Sequence, residues 1–517
     1  MSIKLIIFDL EDVLIKSWHG IIKYLDIDET DFKTIDHSDL RIDLQLGKIS
    51  EDTFFEEFIR ITHTKYSVEE LKSFVRQVLT PIDKMFDLVK SLKNRYKLAI
   101  LSNFTKEWAD YVIKKYELNN LFDATFWSFE RGIKKPWHEA YLQVLDYFKI
   151  SPQECVIIDD KIRNTEAAAK IGFNTITFEN YDQLKQELNN LGVSTKPNIV
   201  LIGGGTGLPN LIKGLKNYDV NITAIVAVTD NGRHSGVLRR EYNIPPPGDI
   251  RNSLVALSDA DETLKKAFDY RFLDGHLEGT NLGNLLILSF TKLFGSFEKA
   301  IEHAGKILNI RGKVLPVTNA NVDICAEYEN GEIIEGEVSI RENRAFKSRI
   351  KRVFLKPNNV KALPEVIEEI EKADMIVLGP GRLYTSVITN LLVDGVVDAI
   401  RKSRAKKVYV CNTMTEPNVT DNFKVSNFVE AIENYLGKGV LNYVVVNTAY
   451  PDNEIVESYK EKFNISIVEL DKQNLNNLQL IEGDFLNNEI KFKWNELSFL
   501  NHDPQKTADA LMKILKM

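Results

Sequence analysis

Residues 199–252 read IVLIGGGTGLPNLIKGLKNYDVNITAIVAVTDNGRHSGVLRREYNIPPPGDIRN. Ile199 to Ile202 is a short apolar run that predicts a strand. Gly203, Gly204, Gly205, Thr206 and Gly207 follow at once, and Leu208, Leu211, Ile212 and Leu215 then recur at helical spacing. Strand, glycine turn and helix in that order bring backbone amides to the positive end of a helix, where a phosphate is well held. Leu208 stands where a GxGxxG pattern would have its last glycine, and a glycine turn can also close a loop for steric reasons alone. A second apolar run, Ile222 to Val228, ends in Thr229, Asp230 and Asn231, so two strand ends would face one ligand across a doubly wound sheet.

The blocks GGGTGL, VTDNGRHSG, IPPPGDIRNSLVALSD, NLGNLLILS, IRGKVLP, VLGPGRLYTSVITNLLV and VYVCNTMT follow one another between residue 199 and about residue 450. In that order they resemble the signatures of the gluconeogenesis-factor branch of the CofD-like family, whose enzymatic relative is the 2-phospho-L-lactate transferase. The resemblance implies a ligand cleft built from Gly203–Gly207, Leu208, Asp230, Asn231, Asp249, Arg251, Asn252, Asn281, Gly283, Asn284, Gly379, Gly381, Tyr384 and Asn412. Three departures stand out. Thr280 and Asn281 replace a His-Ser pair, Arg382 stands where relatives mostly have serine, and Asn231 aligns with an acid that carries metal in the transferases.

At 517 residues the chain exceeds one ordinary hydrophobic core, and 44% hydrophobic with 27% charged residues is an ordinary globular composition. A net charge of −8 argues against nonspecific binding to nucleic acid or to acidic membranes. Cys155, Cys325 and Cys411 are odd in number and far apart, which points away from a zinc site or a disulfide framework. Asp9, Glu11 and Asp12 interrupt the stretch where a signal peptide would be apolar, and no apolar run approaches the length of a membrane span. The expectation is a soluble, cytoplasmic protein.

The N-terminal part opens with IKLIIF, an apolar run tipped by Asp9, and then reads as mostly helical over residues 16 to 82, with Phe54, Phe55, Phe58 and Ile59 at helical spacing. KLAILSNFT ends at Ser102 and Asn103, GIKKPWHEAY carries Lys135, and CVIIDDKIRN carries Asp159 and Asp160. An acid, a hydroxyl, a lysine and an acid pair at four strand or loop ends are what phosphoryl transfer needs. The set resembles the four motifs of the haloacid dehalogenase superfamily over residues 1 to about 188. That resemblance implies Asp9 as nucleophile, Ser102 and Lys135 as phosphate ligands, and Asp9, Asp159 and Asp160 around Mg²⁺. It also puts Glu11, a candidate for catalysis and for the metal, where the superfamily's phosphatases usually have an aspartate acid, with Asp12 where glycine is usual.

The polar stretch NNLGVSTKP, residues 189–197, reads as a linker between residues 1–188 and 198–517. The predicted architecture is α/β, with two Rossmann-like doubly wound parallel-sheet domains, the first carrying a helical cap over about residues 16–82. Pro245–Pro247 with Gly248 predicts a rigid turn, either purely structural or delivering Asp249, Arg251 and Asn252. Asn281, Gly283 and Asn284 open an apolar helix. Arg239 and Arg240 are a phosphate partner or a solvated helix face.

Two function classes remain. One is a regulator of carbon metabolism and cell shape that binds a nucleotide or UDP-sugar, with a fused Mg²⁺-dependent phosphatase acting on a phosphorylated small molecule. The other is an active phospholactate-type transferase. Loss of charge at Asn231 favours binding over transfer, since a hard cation needs charged oxygen ligands. A homo-oligomer is common in such α/β proteins, although no interface can be read from the residues.

Overall fold

The computed structural model describes residues 3–487 and 501–517, apart from 26, 28, 94, 344–347, 452–455, 458–459, 462–463 and 476. It divides into two compact units, Met1–Thr195 and Lys196–Met517.

In the first unit β1 (Leu5–Phe8), β2 (Lys97–Ser102), β3 (Ala124–Trp127), β4 (Cys155–Asp159) and β5 (Asn174–Thr177) form one sheet in the order β3-β2-β1-β4-β5. Every neighbouring pair is parallel. Helices cover both faces of such a sheet, so its central strands read as continuous apolar runs, and all four residues of β1 are buried. The register pairs Phe8 with Ile100 and with Ile158, which brings the carboxyl ends of three strands level.

Between β1 and β2 the chain is helical, with helices Glu29–Asp36, Asp39–Gln45, Glu51–Thr62 and Val68–Val78. Serine starts the last two: the Ser50 hydroxyl accepts from Thr53 N at 3.2 Å, and Ser67 forms a capping box with Glu70. Their apolar faces meet in an aromatic cluster of Trp18, Phe32, Phe54, Phe55, Phe58 and Trp108, all fully buried. Each such side chain contributes roughly 1.5–3 kcal/mol through burial.

In the second unit the strands are β6 (Asn198–Gly203), β7 (Asn221–Val226), β8 (Lys313–Pro316), β9 (Asp323–Tyr328), β10 (Ile333–Glu335), β11 (Ile350–Lys356), β12 (Met375–Leu378), β13 (Lys406–Val410), β14 (Tyr443–Asn447) and β15 (Gln479–Gly483). Seven make a parallel sheet, β15-β14-β13-β12-β6-β7-β8. The direction of winding reverses between β6 and β12, so the ends of β7, β6, β12 and β13 border one crevice. The predicted α/β class and paired parallel sheets are therefore what the chain forms. Two features go beyond the sequence reading. Strands β9–β11 form a separate antiparallel sheet that carries the helix Glu337–Glu342. The proline run leads directly into a helix, Gly248–Leu257, which puts Asp249 in its first turn. No helix among the described residues is long and apolar enough to cross a membrane.

Candidate functional site

Asp9 continues β1, and its amide donates to Ile158 O at 2.8 Å, so it stands beside Asp159 at the end of β4. Lys135 is 1% exposed and lies between the two acids. Its Nζ is 2.7 Å from Asp9 Oδ2 and also bonds Asp159 Oδ2. The lysine is held by its own peptide group: Asn103 Oδ1 accepts from Lys135 N at 2.8 Å while Asn103 Nδ2 donates to Lys135 O at 2.8 Å. Asp159 Oδ1 accepts from Lys161 N and Asn164 Nδ2, both at 2.9 Å. Burial raises the Asp9 carboxyl, and the ammonium of Lys135, with Lys161, more than reverses that, so Asp9 titrates below its ordinary range. Asp160 is pushed up to about 7, chiefly by burial, with Asp9 and Asp159 adding to the effect.

Asp9, Asp159 and Asp160 each offer an oxygen within 4.8 Å of the others. Asp160 Oδ1 is buried and has no hydrogen-bond partner. Hard carboxylate oxygens converging with one left unsatisfied fit a Mg²⁺ ion. Glu11, expected with the metal acids, lies outside that group. Its longer side chain turns toward the cap, where Oε1 accepts from Trp18 N at 2.9 Å and Oε2 is 3.7 Å from Arg41 Nη2. Burial raises its carboxyl and Arg41 opposes the rise. Asp12 has φ of 59°, which explains why glycine is usual at that place. Ser102 is buried at the tip of β2 with an unpartnered hydroxyl.

In the second unit the glycine turn is a point of close packing. Gly205 has φ of +65°, and a Cβ on Gly207 would lie 2.5 Å from Pro380 O. The Gly205 amide, expected to be offered to a phosphate, instead donates to Asp249 Oδ2 at 2.5 Å. An internal carboxylate thus takes an anion's place on the turn, because the helix Gly248–Leu257 begins just opposite it. Burial pushes Asp249 up to about 6, with Asp230 adding to the rise. Leu208 and Tyr384, expected in the ligand set, put their side chains into the apolar core, at 0% and 6% exposure. Gly379 and Gly381 form the neighbouring turn, which Asn412 fastens by donating from Nδ2 to Gly381 O at 2.9 Å.

Ser235, Arg251, Asn252, Asn281 and Asn284 do come together, through Asn284 Nδ2 to Ser235 Oγ at 3.4 Å and Arg251 to both Asn284 and Asn252. Asn281 caps the helix Leu282–Phe294 by accepting from Asn284 N at 3.1 Å, and Gly283 in its first turn packs on the Arg251 stem. Asp230 Oδ1 accepts from Gly232 N at 2.9 Å. Asn231 is engaged elsewhere, since its Oδ1 accepts from Val338 N at 3.1 Å at the start of the helix Glu337–Glu342. Arg239 is buried against Asn321 and Asp323, which removes it as a phosphate partner, and Arg240 is exposed.

Residues 199–486, more than half the chain, match the family described as 2-phospho-L-lactate transferase CofD. The chain belongs to the CofD family. Its relatives include a putative gluconeogenesis factor of Thermotoga maritima, 45% identical over 61% of this chain and 98% of that one. The gluconeogenesis factor of Bacillus subtilis is 42% identical over 62% of this chain and 99% of its own. A crystal structure of a UPF0052-family protein from Bacillus halodurans superposes with a TM-score of 0.58 at 41% identity, covering 61% of this chain and 99% of that one. Residues 6–178 match haloacid dehalogenase-like hydrolases, a second family joined to the CofD domain in this chain.

In the CofD domain cleft Glu337, Glu416 and Asn390 carry no signal in the sequence, whereas Arg382 stands out there as a departure from the family pattern. Glu337 comes from the antiparallel insertion and is 8% exposed; burial, then the charge of Asp230, pushes its carboxyl up to about 8. Arg382 Nη1 donates to Glu337 Oε1 at 3.0 Å and its Nε lies 3.1 Å from Glu416 Oε1. The acids near Asn231 are therefore not limited to Asp230 and Asp249. Asn390, fully buried in the helical segment after β12, donates to Gly203 O at 3.2 Å and Ser386 O at 2.7 Å. In the dehalogenase-like unit Asn164 was findable, because it lies in the first turn of the helix that follows Asp159 and Asp160, whereas Arg41 lies in no motif.

Proposed function

We propose that the N-terminal unit is a Mg²⁺-dependent phosphomonoesterase and that the CofD unit binds a nucleotide or UDP-sugar to regulate carbon metabolism and cell shape. The observation that carries the first part is the buried set of Asp9, Lys135, Asp159 and Asp160, with three carboxylates converging and a lysine between two of them. Bound there by the three acids, Mg²⁺ would supply charge neutralisation for the phosphoryl oxygens. Asp9 Oδ attacks phosphorus, forming an aspartyl phosphate as the bond from phosphorus to the ester oxygen breaks. Glu11 gives its proton to the departing alkoxide and then takes one from the water that cleaves the aspartyl phosphate. Lys135 and Ser102 hold the non-bridging oxygens. Lys135 also keeps Asp9 ionised, which a nucleophile requires.

Two contacts support binding over group transfer in the CofD unit. Asn231 spends its side-chain oxygen on Val338 N, and the Arg382 guanidinium occupies the acid cluster. The test uses the full chain. Hydrolysis of a panel of phosphomonoesters in Mg²⁺ should occur in the wild type and vanish in Asp9→Asn. Thermal unfolding should be shifted up by a nucleotide or UDP-sugar in both proteins, by about 2.7 kcal/mol at 100 times Kd. Turnover of a phospholactyl donor with a deazaflavin acceptor would overturn the regulatory reading.

A further inference from the structure

The cap side of the N-terminal site holds a guanidinium that the phosphoryl chemistry leaves unused. Arg41, in the helix Asp39–Gln45, is 2% exposed. Its Cζ lies 5.0 Å from the ring centre of Trp18 and 4.8 Å from that of Trp108, so two indoles flank the group. Two carboxylates balance its charge from a distance: Nη2 is 3.7 Å from Glu11 Oε2 and Nε is 3.7 Å from Asp36 Oδ1. Both are too long for hydrogen bonds. Each acid also has other donors, since Glu11 Oε1 accepts from Trp18 N at 2.9 Å, Asp36 Oδ1 from Trp18 Nε1 at 3.1 Å, and Asp36 Oδ2 faces His19 Nε2 at 2.9 Å. Arg41 Nε and Nη1 are buried without any hydrogen-bond partner. Buried donors are normally satisfied, and a guanidinium carries five of them in a fixed fork.

Burial and then the charges of Arg163, Arg41 and Lys161 hold the ammonium of Lys134, next to Lys135, below its ordinary range. Glu11 follows Asp9 by two residues and its Oε2 lies 3.7 Å from Arg41 Nη2, so a substrate held at Asp9 would reach Arg41 by way of Glu11.

We infer that Arg41 recognises a second anionic group, a carboxylate or a second phosphate, on the phosphomonoester substrate of this unit. The inference rests on the phosphatase reading above. Two oxygens of a carboxylate or phosphate take two N–H donors from one edge of a guanidinium, whereas an alkyl end accepts none and leaves desolvated donors unpaired. Discrimination then comes from the unmade hydrogen bonds as much as from attraction.

The experiment is calorimetric binding of non-hydrolysable phosphonates to the full chain in Mg²⁺. Short ω-carboxyalkyl phosphonates are compared with alkylphosphonates of the same length. The best carboxylate ligand should bind about tenfold or more tighter than its alkyl counterpart in the wild type. That ratio should fall to near one in Arg41→Met, which keeps an apolar stem between the indoles, and be partly retained in Arg41→Lys. A ratio, unlike an absolute affinity, is not moved by a general loss of packing, and Arg41→Gln serves if Arg41→Met does not fold. Equal affinities in the wild type, or a preference that survives the loss of charge, overturn the assignment and leave the phosphatase reading standing. Failure of both phosphonates and of inorganic phosphate to bind the wild type removes that reading and this inference together.

Discussion

The two units gather buried carboxylates at the ends of parallel strands, and they handle the charge in opposite ways. In the N-terminal unit three acids point at one another, one oxygen of Asp160 stays unpartnered, and Lys135 bridges the other two acids. In the CofD unit each acid is tied to something else: Asp249 to Gly205 N, Asp230 to Gly232 N, and Glu337 and Glu416 to Arg382. Among the described residues, only the first arrangement brings three carboxylates within reach of a common cation. Carboxylates left facing one another need a cation, and carboxylates given private donors do not. The same position in an α/β fold can thus leave carboxylates facing one another or tie each to a donor of its own.

The largest effect that can break this contrast is on catalysis. Asp9→Asn should lower phosphomonoester hydrolysis by about 10³-fold or more while leaving ligand binding by the CofD unit unchanged. Steady-state rates decide it, and a variant within tenfold of the wild type would remove Asp9 as nucleophile.

Next in size is Lys135→Met. Loss of the ammonium leaves Asp9 and Asp159 buried and facing each other, which should cost about 3–5 kcal/mol. Added Mg²⁺ should restore part of that through mass action. Thermal unfolding with and without the cation measures both, and an undiminished midpoint would show that the acids do not depend on the lysine.

A smaller effect concerns how the CofD unit neutralises a buried group. His502 is 7% exposed, and burial holds its imidazole down at about 4, against an ordinary 6.5. Since the folded value is the lower one, the unfolded chain takes up the proton first as pH falls. The contribution is complete above 6.5 and is lost on the way down to about 4, reaching roughly 2 kcal/mol at pH 5. Asp249 and Glu337 have raised values and act in the opposite direction, losing stability as pH rises toward about 6 and about 8. The clean measurement is therefore the wild type minus His502→Gln between pH 7 and pH 5. A difference that does not change with pH refutes the assignment.

The smallest expected effect sharpens the comparison most. Arg382→Ser removes the guanidinium from Glu337 and Glu416 and should make the CofD unit respond to Mg²⁺, by about 1 kcal/mol at a few times Kd. The wild-type unit should not respond. Stabilisation of the wild-type CofD unit by Mg²⁺ would mean that its acids already form a cation site.

Much of this was legible in the residues alone. LIIF, KLAILS and CVIID, like IVLIG and its partners, are strands because a parallel strand covered on both faces must be apolar throughout, and the residue after such a run stands at the cleft. Asp9, Ser102, Asp159 and the glycine turns followed directly, and Asn281 followed from the helix it caps. These are relations between near neighbours in the chain. What the sequence could not settle is whom each polar group serves. Asp249 takes the Gly205 amide across 44 residues, and Asn231 serves Val338 across 107. Arg41 is flanked by indoles from two different elements, and Glu337 arrives from an antiparallel sheet that no motif announces. Such partnerships depend on packing between distant segments, where one short polar side chain has several donors to choose from and only the assembled fold brings one of them to 3 Å.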